Sequence, residues 1–254
     1  MMRDVYSRTY KIRSYEADFR GLVKPVVLLN YLQDTASGHA DLLGFSLTDL
    51  RAKNATWLLS RYHIRVDRYP SVDEELLVTT WRSLVEGIYA FREFHIADED
   101  GSQVCCATSS WVLLNLRTKR PARIRDFLPE LPVIRKRAME DDFPKLPQPA
   151  SWGFEQSFRA RTADLDLNRH VNHAIYAEWA LETVPLPVLQ ECCLSEIEIA
   201  YMNEAVSGDT IISRAETAEP GAFLHQLLRE VDGRELTRLR TSWRAVSDAE
   251  RKDI

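Results

Sequence analysis

The sequence predicts an α+β protein made of two tandem copies of one unit, each an antiparallel curved sheet wrapped around a central helix. The first observation behind this prediction is an internal repeat. Asp100-Gly101 is followed, ten residues after the glycine, by Trp111, and Asp232-Gly233 is followed at the same spacing by Trp243, 132 residues further along the chain. The second observation is one of length. Two units of roughly 110 to 120 residues account for nearly the whole chain, which favours a duplication over two unrelated domains.

Each copy is predicted to contain the same elements in the same order. A leading strand is followed by a loop and one long helix, and then by strands rich in β-branched and aromatic residues. Pro25 stands where the first helix should begin, because the first turn of a helix does not need its missing N–H. The Asp-Gly pairs predict tight hairpins with type I′ turns, in which both central residues have positive φ. The strand, helix and final strand are expected at about 8–15, 25–43 and 102–116 in the first copy and 154–161, 171–183 and 234–246 in the second.

The stretch between the copies has a different composition. Six of the eleven prolines lie within residues 121–149, with charged residues between them. This composition is typical of a semi-rigid linker rather than of a core element. The predicted domains are therefore an N-terminal unit of residues 1–120, a linker of residues 121–150 along the surface of both halves, and a C-terminal unit of residues 151–254.

Bulk properties exclude several classes of protein. The net charge of −5 and the isoelectric point near 5.8 argue against a general nucleic-acid binder, and no apolar run approaches the ~18 residues of a membrane span. Residues 1–6 lack the apolar region of a signal peptide, so we expect a cytoplasmic protein or one from which a transit segment has been removed. The cysteines form adjacent pairs, Cys105-Cys106 and Cys192-Cys193. Strand neighbours point to opposite faces, so buried, reduced thiols are expected.

The most informative stretch runs from Asp166 to His173. It places the carboxylate of Asp166, the amide of Asn168 and the imidazole of His170 at alternate positions just before an apolar-periodic segment. All three side chains can project together from a loop that leads into a helix, which is one way to build a catalytic site. The alternative is an Asx-rich helix cap with surface histidines.

The first copy serves as a control for this stretch. When the two helices are superposed, His170 faces Pro25, and residues 21–25 contain no acid, amide or imidazole. The polar cluster is thus predicted in the second copy only. With the strands aligned at an offset of 135 residues, Glu204 stands opposite Tyr69, so this acid is also peculiar to the second copy. A solvated charge at a strand end is the alternative for Glu204.

Several motifs together carry a resemblance to a known family. They are Asp166-Leu167-Asn168-Arg169-His170-Val171-Asn172, Gly44-Phe45-Ser46, Thr56-Trp57 with Tyr69-Pro70, and Ser110-Trp111-Val112-Leu113-Leu114-Asn115 with Thr118-Lys119-Arg120. On these motifs the chain resembles the acyl-acyl carrier protein thioesterases of plants and bacteria, which carry a tandem pair of hotdog folds. The resemblance extends from residue 5 to residue 246 or thereabouts. It implies the hydrolysis of acyl carrier protein thioesters to free fatty acid.

The resemblance also implies a set of catalytic residues. In the family they are an Asp, an Asn and a His of the second repeat and a Glu 34 positions after the His, which correspond here to Asp166, Asn168, His170 and Glu204. The family usually has a Cys directly after that Glu, whereas this chain has Ala205. A thiol nucleophile is therefore not expected. Hydrolysis should use water activated by a carboxylate, or a carboxylate nucleophile.

These residues can be given roles in thioester hydrolysis. Glu204, buried beside an acyl-lined pocket, would act as the base toward water, with His170 as a second proton-handling or water-orienting group. Asn168 would hold the water or the carbonyl, and backbone N–H groups near Val171 would meet the oxyanion. Asp166 would orient these side chains or attack directly. Three neighbouring polar residues are expected to cap and pack the helix start: Asp164, Asn172 and His173.

The first copy lacks the polar cluster, and the resemblance implies that it supplies the acyl pocket. The residues assigned to this pocket are Val27, Leu28 and Leu32 of the first helix, although their spacing alone is that of ordinary core residues. No metal or organic cofactor is expected, because the sequence offers neither a metal-ligand spacing nor a Gly-rich phosphate loop.

Acylated acyl carrier protein is the expected partner. Because carrier protein is acidic, its contact is placed on Arg120, Arg123 and Arg125, which belong to the densest basic stretches of an acidic chain. A solvated face is the alternative for these arginines. No nucleic acid and no membrane span are expected, and a homodimer is left open.

Three other functions are compatible with parts of this pattern. An acyl-CoA thioesterase would share the fold and the chemistry and would differ in the thiol that carries the acyl group. A hotdog dehydratase is disfavoured, because the sequence has no His-Phe-Pro run. A non-catalytic acyl-binding protein would need an output domain, for which the two copies leave no residues.

Overall fold

The computed structural model describes residues 4–129 and 131–247 together with Glu250. The chain divides into two compact units, of which the first, unit 1, ends at Asp142 and the second, unit 2, begins at Phe143. Among the described residues, no helix combines the length and the apolar character needed to cross a membrane.

Unit 1 is an antiparallel sheet with one long helix. The sheet order is β1-β3-β4-β5-β2, and a two-residue strand, β6, pairs with β5. The helix α1 contacts β1 and β3 and buries Val27, Leu28, Leu29 and Leu32. The elements are β1 Val5–Lys11, α1 Pro25–Leu42, α2 Leu47–Ala52, β2 Ala55–Val66, β3 Glu75–Glu86, β4 Tyr89–Ala97, β5 Gln103–Asn115, β6 Arg120–Pro121 and α3 Ile124–Phe127.

Unit 2 repeats this arrangement. Its strands follow the order β7-β9-β10-β11-β8, which matches the order in unit 1 strand for strand. The helix α4 contacts β9, β10 and β11 and buries Ala177, Trp179 and Ala180. The elements are β7 Phe154–Arg159, α4 His173–Glu182, α5 Leu186–Glu191, β8 Cys192–Tyr201, β9 Thr210–Glu219, β10 Ala222–Arg229 and β11 Arg234–Ala245.

The repeated tryptophans occupy the same place in both sheets. The indole N–H of Trp111 donates to Ser109 Oγ at 2.9 Å, and that of Trp243 donates to Thr241 Oγ1 at 3.0 Å. Beside each tryptophan the partner strand bulges, so that one serine, Ser60 or Ser195, drops out of the pairing register in each unit. The structure therefore confirms the predicted internal repeat down to its irregularities.

The hairpins at the Asp-Gly pairs are present, but the predicted type I′ turns are wrong. Only the glycines have positive φ, 82° for Gly101 and 64° for Gly233, whereas a type I′ turn requires it at both central residues. The connections are wider loops of residues 98–102 and 230–233. In the first loop the backbone of Asp98 accepts from Gly101 N at 3.0 Å and its carboxylate accepts from Ser102 N at 2.8 Å, which satisfies the longer turn.

Part of the predicted linker is a core element. Ile124, Leu128 and Leu131 are each at most 3% exposed and pack in unit 1 against a buried cluster that includes Leu50 and Leu113. Their spacing puts the three side chains on one side of the short helix α3 and the turn after it. Residues 131–149 contain no helix or strand. The proline content marked irregular structure correctly but concealed this apolar spacing.

The cysteines are present as thiols rather than disulfides in the part of the chain that the structure describes. Cys105, Cys106 and Cys193 are buried, as expected from the sequence. Burial raises the pKa of the Cys105 thiol well above its usual range, which makes it a poor nucleophile.

Candidate active site

The loop before α4 is built around the carboxylate of Asp166. Its Oδ1 accepts the backbone N–H of Asn168 at 2.8 Å and that of His170 at 3.2 Å. The backbone N–H of Asp166 donates in turn to the carbonyl of His170 at 2.8 Å. Arg169 adopts a left-handed conformation with φ of 64° to complete the turn. One acid therefore fixes the backbone from which Asn168 and His170 project.

The start of α4 is capped as the sequence predicts. Asn172 is the N-cap and its side chain accepts from Ala174 N at 2.9 Å, so the helix begins at His173 rather than at Val171. Asp164 is buried and bonds to Arg161. The His173 ring meets the ring of Tyr201 edge-on at 6.2 Å, and burial lowers the pKa of His173 to about 4 despite the opposing charge of Asp166. His173 is therefore a neutral packing residue at neutral pH.

Glu204 reaches the same site from the loop that follows β8. The carbonyl of Ala205 accepts from Val171 N at 2.9 Å, and the N–H of Ala205 donates to the Tyr176 hydroxyl at 2.8 Å. These bonds bring Glu204 Oε2 to 3.4 Å from His170 Nδ1. The four predicted catalytic residues thus lie in unit 2, three of them on one loop.

Two expectations about this site are wrong. The Glu204 side chain is 52% exposed, not buried, because it projects from a loop beyond the end of β8. The backbone N–H of Val171 is not directed at a ligand, because it donates to the carbonyl of Ala205. Solvent can therefore reach the Glu204–His170 pair, and the N–H of Val171 is not available to an oxyanion. The Asn168 amide, whose Nδ2 lies 3.4 Å from Asp166 Oδ2, is the side-chain candidate on the loop.

The loop hydrogen bonds also correct the superposition of the two copies. In unit 1, Asp18 Oδ1 accepts the backbone N–H of Arg20 at 2.8 Å and that of Leu22 at 3.2 Å. Asp18 N donates to the carbonyl of Leu22 at 2.7 Å. This is the pattern of Asp166, so the true offset runs from Asp18 to Asp166, 148 residues.

His170 consequently corresponds to Leu22 and not to Pro25, and the equivalent of Pro25 is His173. Unit 1 keeps the acid of the loop as Asp18, so the expectation that its loop lacks an acid is wrong. Three groups remain peculiar to unit 2: Asn168, which replaces Arg20; His170, which replaces Leu22; and Glu204, which replaces Tyr69.

Tyr176 also belongs to this site, although the sequence pattern did not predict it. It is 3% exposed, and burial, helped by the charges of Glu204, Asp209 and Asp166, raises the pKa of its phenol to about 12. In unit 1 its place is taken by Leu28 at the loop offset of 148 residues, and the place of Ala205 is taken by Pro70 at the strand offset of 135 residues. Aligning Tyr176 with Leu28 and Ala205 with Pro70 in the sequence would have shown that the hydroxyl and the N–H to which it bonds occur together only in unit 2.

The residues assigned to an acyl pocket are buried, and those assigned to a carrier protein contact are exposed. Val27, Leu28 and Leu32 are buried on α1, at 8%, 1% and 0% exposure. Arg120, Arg123 and Arg125 are all exposed. The guanidinium of Arg125 donates to the carbonyl of Pro129 at 2.8 Å, so its charge is partly engaged in holding the turn after α3.

Comparison with known proteins adds the following findings. The chain matches the family model described as acyl-ACP thioesterase N-terminal domain over residues 3–130 and the corresponding C-terminal domain over residues 148–245. A palmitoyl-acyl carrier protein thioesterase of Gossypium hirsutum is 32% identical, and the match covers 94% of this chain and 64% of that protein. An oleoyl-acyl carrier protein thioesterase of Arabidopsis thaliana is 29% identical, with 94% and 76% covered. Both relatives are described as chloroplastic.

Solved structures agree with the sequence comparisons. An acyl-ACP thioesterase from Bacteroides thetaiotaomicron superposes with a TM-score of 0.87 at 26% identity, covering 96% of this chain and all of that one. A 12:0-ACP thioesterase from Umbellularia californica gives a TM-score of 0.85 at 27% identity, covering 95% and 97%. These matches confirm the predicted tandem hotdog fold.

Proposed function

Because the chain belongs to the acyl-ACP thioesterase family, whose N-terminal and C-terminal domains it matches in order, we propose that it hydrolyses acyl-acyl carrier protein thioesters to free fatty acid and carrier protein. The observation that carries this proposal is the 3.4 Å approach of His170 Nδ1 to Glu204 Oε2. Neither residue has a polar counterpart that could do the same work in unit 1, where Leu22 and Tyr69 occupy the two positions. The pair is an addition to the shared scaffold.

The proposed reaction uses water as the nucleophile. Glu204 accepts a proton from water as the hydroxide oxygen attacks the thioester carbonyl carbon. The negative charge that develops on the carbonyl oxygen is stabilised by a hydrogen-bond donor, which we assign to the Asn168 amide. When the C–S bond breaks, the thiolate leaves and takes up the proton, with His170 as the group that passes it from Glu204. The demand on this last step is small, because a thiolate is a good leaving group.

Asp166 is proposed to orient the loop rather than to attack the thioester. One of its oxygens already accepts two backbone N–H groups, and Asp18 makes the same two bonds in a loop that lacks the other reactive groups. An Asp166→Asn variant retains an acceptor at Oδ1 and separates the two roles. Orientation predicts that much of the turnover survives, whereas a nucleophilic role predicts a loss as large as that of Asp166→Ala.

The acyl group is proposed to occupy unit 1 near Val27, Leu28 and Leu32. The support is the family resemblance together with the apolar, buried face that α1 offers. Enlarging that face with Val27→Phe should move the product distribution toward shorter fatty acids, because overpacking shortens an apolar pocket before it affects the reacting groups. Unchanged product lengths in a stably folded variant would remove α1 from the acyl site.

The carrier protein is proposed to contact Arg120 and Arg123, with Arg125 as a neighbour that also supports the local turn. Reversing Arg120 and Arg123 to Glu should raise the apparent KM for acyl carrier protein substrates and flatten the salt dependence of kcat/KM. Charges at the edge of an interface act mainly on encounter, and salt screens them beyond about 10 Å at 0.1 M. Hydrolysis of a small uncharged thioester provides the control and should not change. Equal losses on both substrates would indicate damage to the fold.

The alternative is an acyl-CoA thioesterase, which would use the same residues. A panel of acyl carrier protein thioesters and acyl-CoA thioesters of matched chain lengths, scored for released acid, decides between them. A higher kcat/KM for the carrier protein series supports the proposal. Release from acyl-CoA alone would assign the activity to the alternative, and release from neither series would overturn thioester hydrolysis.

The setting of the activity is a further part of the proposal. We place the protein in the cytoplasm, where reducing conditions keep cysteines such as the buried Cys105, Cys106 and Cys193 as thiols. Fatty acid synthesis is the process that supplies acyl carrier protein thioesters. A homodimer is the assembly to be tested by sedimentation.

A further inference from the structure

Ala205 is held by two backbone hydrogen bonds, one through each of the two peptide groups that flank it. Its carbonyl accepts from Val171 N at 2.9 Å, and its N–H donates to the Tyr176 hydroxyl at 2.8 Å. Val171 directly follows His170 in the sequence, and Glu204 directly precedes Ala205. The first bond therefore joins the backbone next to His170 to the backbone next to Glu204, and the second ties the peptide between Glu204 and Ala205 to the side chain of Tyr176 on α4.

Only one of these two bonds exists in unit 1. Val23 N donates to the carbonyl of Pro70 at 2.9 Å, which reproduces the bond from Val171 to Ala205. The second bond has no counterpart, because Pro70 has no N–H, and Leu28 stands in the place of Tyr176. The tyrosine and the N–H that it binds are thus found in the unit that carries Glu204 and His170.

We infer that Tyr176 is a positioning residue for Glu204: its hydroxyl fixes the peptide between Glu204 and Ala205 against α4, so that the carboxylate meets His170. The catalytic consequence of this inference rests on the proposed function. Glu204 itself is half exposed, so packing does not hold its side chain in place. Its direction is set by its backbone, which the tyrosine anchors.

The surroundings of Tyr176 suit an anchor. Ala205 is 0% exposed and Tyr176 is 3% exposed. The tyrosine ring meets Trp179 at 5.8 Å and Tyr201 at 6.3 Å, both edge-on, which fixes the position of the hydroxyl. Because the pKa of the phenol is raised to about 12, Tyr176 stays neutral over the working pH range and acts as a hydrogen-bonding group rather than as a base.

A purely structural role makes a different prediction. Buried N–H groups are almost always paired, and Tyr176 could serve only to satisfy the N–H of Ala205. Unit 1 shows a second solution to that requirement, which is to remove the N–H with a proline and to place an apolar residue opposite. If Tyr176 has no role beyond the pairing, the solution of unit 1 should work equally well in unit 2.

The decisive experiment gives unit 2 the two features of unit 1, a proline at position 205 and a side chain without a hydroxyl at position 176. Tyr176→Phe leaves the N–H of Ala205 without its partner and should lower both Tm and kcat. The double variant Tyr176→Phe/Ala205→Pro removes that N–H and should recover most of the Tm. We expect its kcat for acyl carrier protein thioesters to stay about 10-fold to 100-fold below that of the wild type, on the scale of a displaced catalytic group, while KM changes little. Recovery of kcat together with Tm would overturn the inference.

A second measurement does not depend on the double variant or on activity. Amide hydrogen exchange of Ala205 should be faster in Tyr176→Phe than in the wild type, with the amides of β10 and β11 unchanged. Unchanged exchange at Ala205 would show that the anchoring bond is absent and would overturn the inference. Tyr10→Phe, which removes a hydroxyl bonded to Asp34 at 2.7 Å in unit 1, is the matched control and should keep the wild-type kcat.

The proposed function fails in a different way. If Glu204→Gln keeps the wild-type kcat, the carboxylate is not the base, and the proposed chemistry is overturned while the exchange of Ala205 still reports whether Tyr176 anchors the peptide. If Glu204→Gln is inactive and the double variant is fully active, the proposed chemistry stands and the positioning role of Tyr176 falls.

Discussion

The loop of residues 17–24 in unit 1 and the loop of residues 165–172 in unit 2 share a backbone and differ in chemistry. Lys24 N donates to Glu16 O at 3.0 Å, and Asn172 N donates to Asp164 O at 2.8 Å. Phe19 and Leu167 stand at the same exposed tip, at 69% and 83% exposure. The loop backbone is therefore common to both units, and the proposed catalytic residues are substitutions on it.

This comparison separates the residue that shapes the loop from the residues that are proposed to take part in the reaction. An acid that is present in both loops, as Asp18 and Asp166, builds the loop by accepting two backbone N–H groups. The groups found in unit 2 alone are Asn168, His170 and Glu204, together with the Tyr176 hydroxyl. A residue type that is also present in the unit without the proposed catalytic groups has a structural reason to be there, and this favours a role for Asp166 mainly in the loop backbone.

The largest expected effect comes from transplanting unit 1 side chains into unit 2. His170→Leu, Glu204→Tyr and Asn168→Arg should each lower kcat by ~10²-fold or more, the scale of general acid–base and oxyanion contributions. The loop backbone should persist, because unit 1 forms it with these residues. Steady-state hydrolysis of an acyl carrier protein thioester, alongside circular dichroism, measures both. Leu167→Phe, which copies Phe19, is the control swap and should remain active. A transplanted variant that folds and keeps most of its kcat would contradict this division.

The next effect concerns the shared acid. Asp166→Ala and Asp18→Ala each leave two loop N–H groups without an acceptor, which should lower the free energy of unfolding by ~1–3 kcal/mol in either unit. Only Asp166→Ala should lower kcat as well, since only its loop carries Asn168 and His170. Urea denaturation and turnover of the two variants test the pair. A stability loss confined to one of them would show that the two acids do not share a role.

The sequence predicted the duplicated fold well, because its strongest signals are local. The Asp-Gly to Trp spacing recurs, and each tryptophan makes the same bond to the residue two places before it. The helix superposition was wrong by three residues. Apolar positions three apart lie on the same helix face, so a slip of three residues keeps the buried face and passes unnoticed. The correct register is set by hydrogen bonds of the loop, which a pattern of apolar residues does not report.

The site was predicted in part for a similar reason. Asp166, Asn168 and His170 were singled out by their own pattern and Glu204 was added by the resemblance, but the exposure of Glu204 and the bond from Val171 to Ala205 depend on how the loop after β8 meets the start of α4. Tyr176 was not predicted, because a tyrosine on the buried face of a helix is typical of a core residue. Its role is visible only when Ala205 is seen to have an N–H that Pro70 lacks. The prolines around residues 121–149 likewise hid the apolar side of Ile124 and Leu128.

The first residues of α1 and α4, Pro25 and His173, are equivalent, but only His173 can titrate. Burial lowers the pKa of His173 from 6.5 to about 4. Between pH 6.5 and pH 4 the unfolded chain therefore binds more protons than the folded protein. The contribution of His173 to the free energy of unfolding is fully present above pH 6.5 and is lost as the pH falls toward 4. Between pH 7 and pH 5 the loss is at most about 2 kcal/mol.

His173→Pro should reduce this acid sensitivity. The residue before it can accommodate the change, because Asn172 has φ −59° and ψ 141° and Lys24 before Pro25 has φ −69° and ψ 142°. Urea denaturation at pH 7 and pH 5 measures the difference in both proteins. An unaltered pH dependence in the variant would place the acid sensitivity on other groups.

The smallest expected effect comes from the turn residue of the two loops, Gly21 and Arg169. Both adopt the left-handed conformation, with φ of 75° and 64°. An L-residue other than glycine pays roughly 1–2 kcal/mol for that conformation, whereas glycine adds about 0.5–1 kcal/mol of chain entropy to the unfolded state. Arg169→Gly should therefore raise the free energy of unfolding by about 0.5 kcal/mol, and Gly21→Arg should lower it by a similar amount. Denaturant midpoints measured at constant slope test both changes. Opposite signs are required by a shared backbone frame, and destabilisation by both substitutions would show that the side chain of Arg169 makes contacts that outweigh the turn.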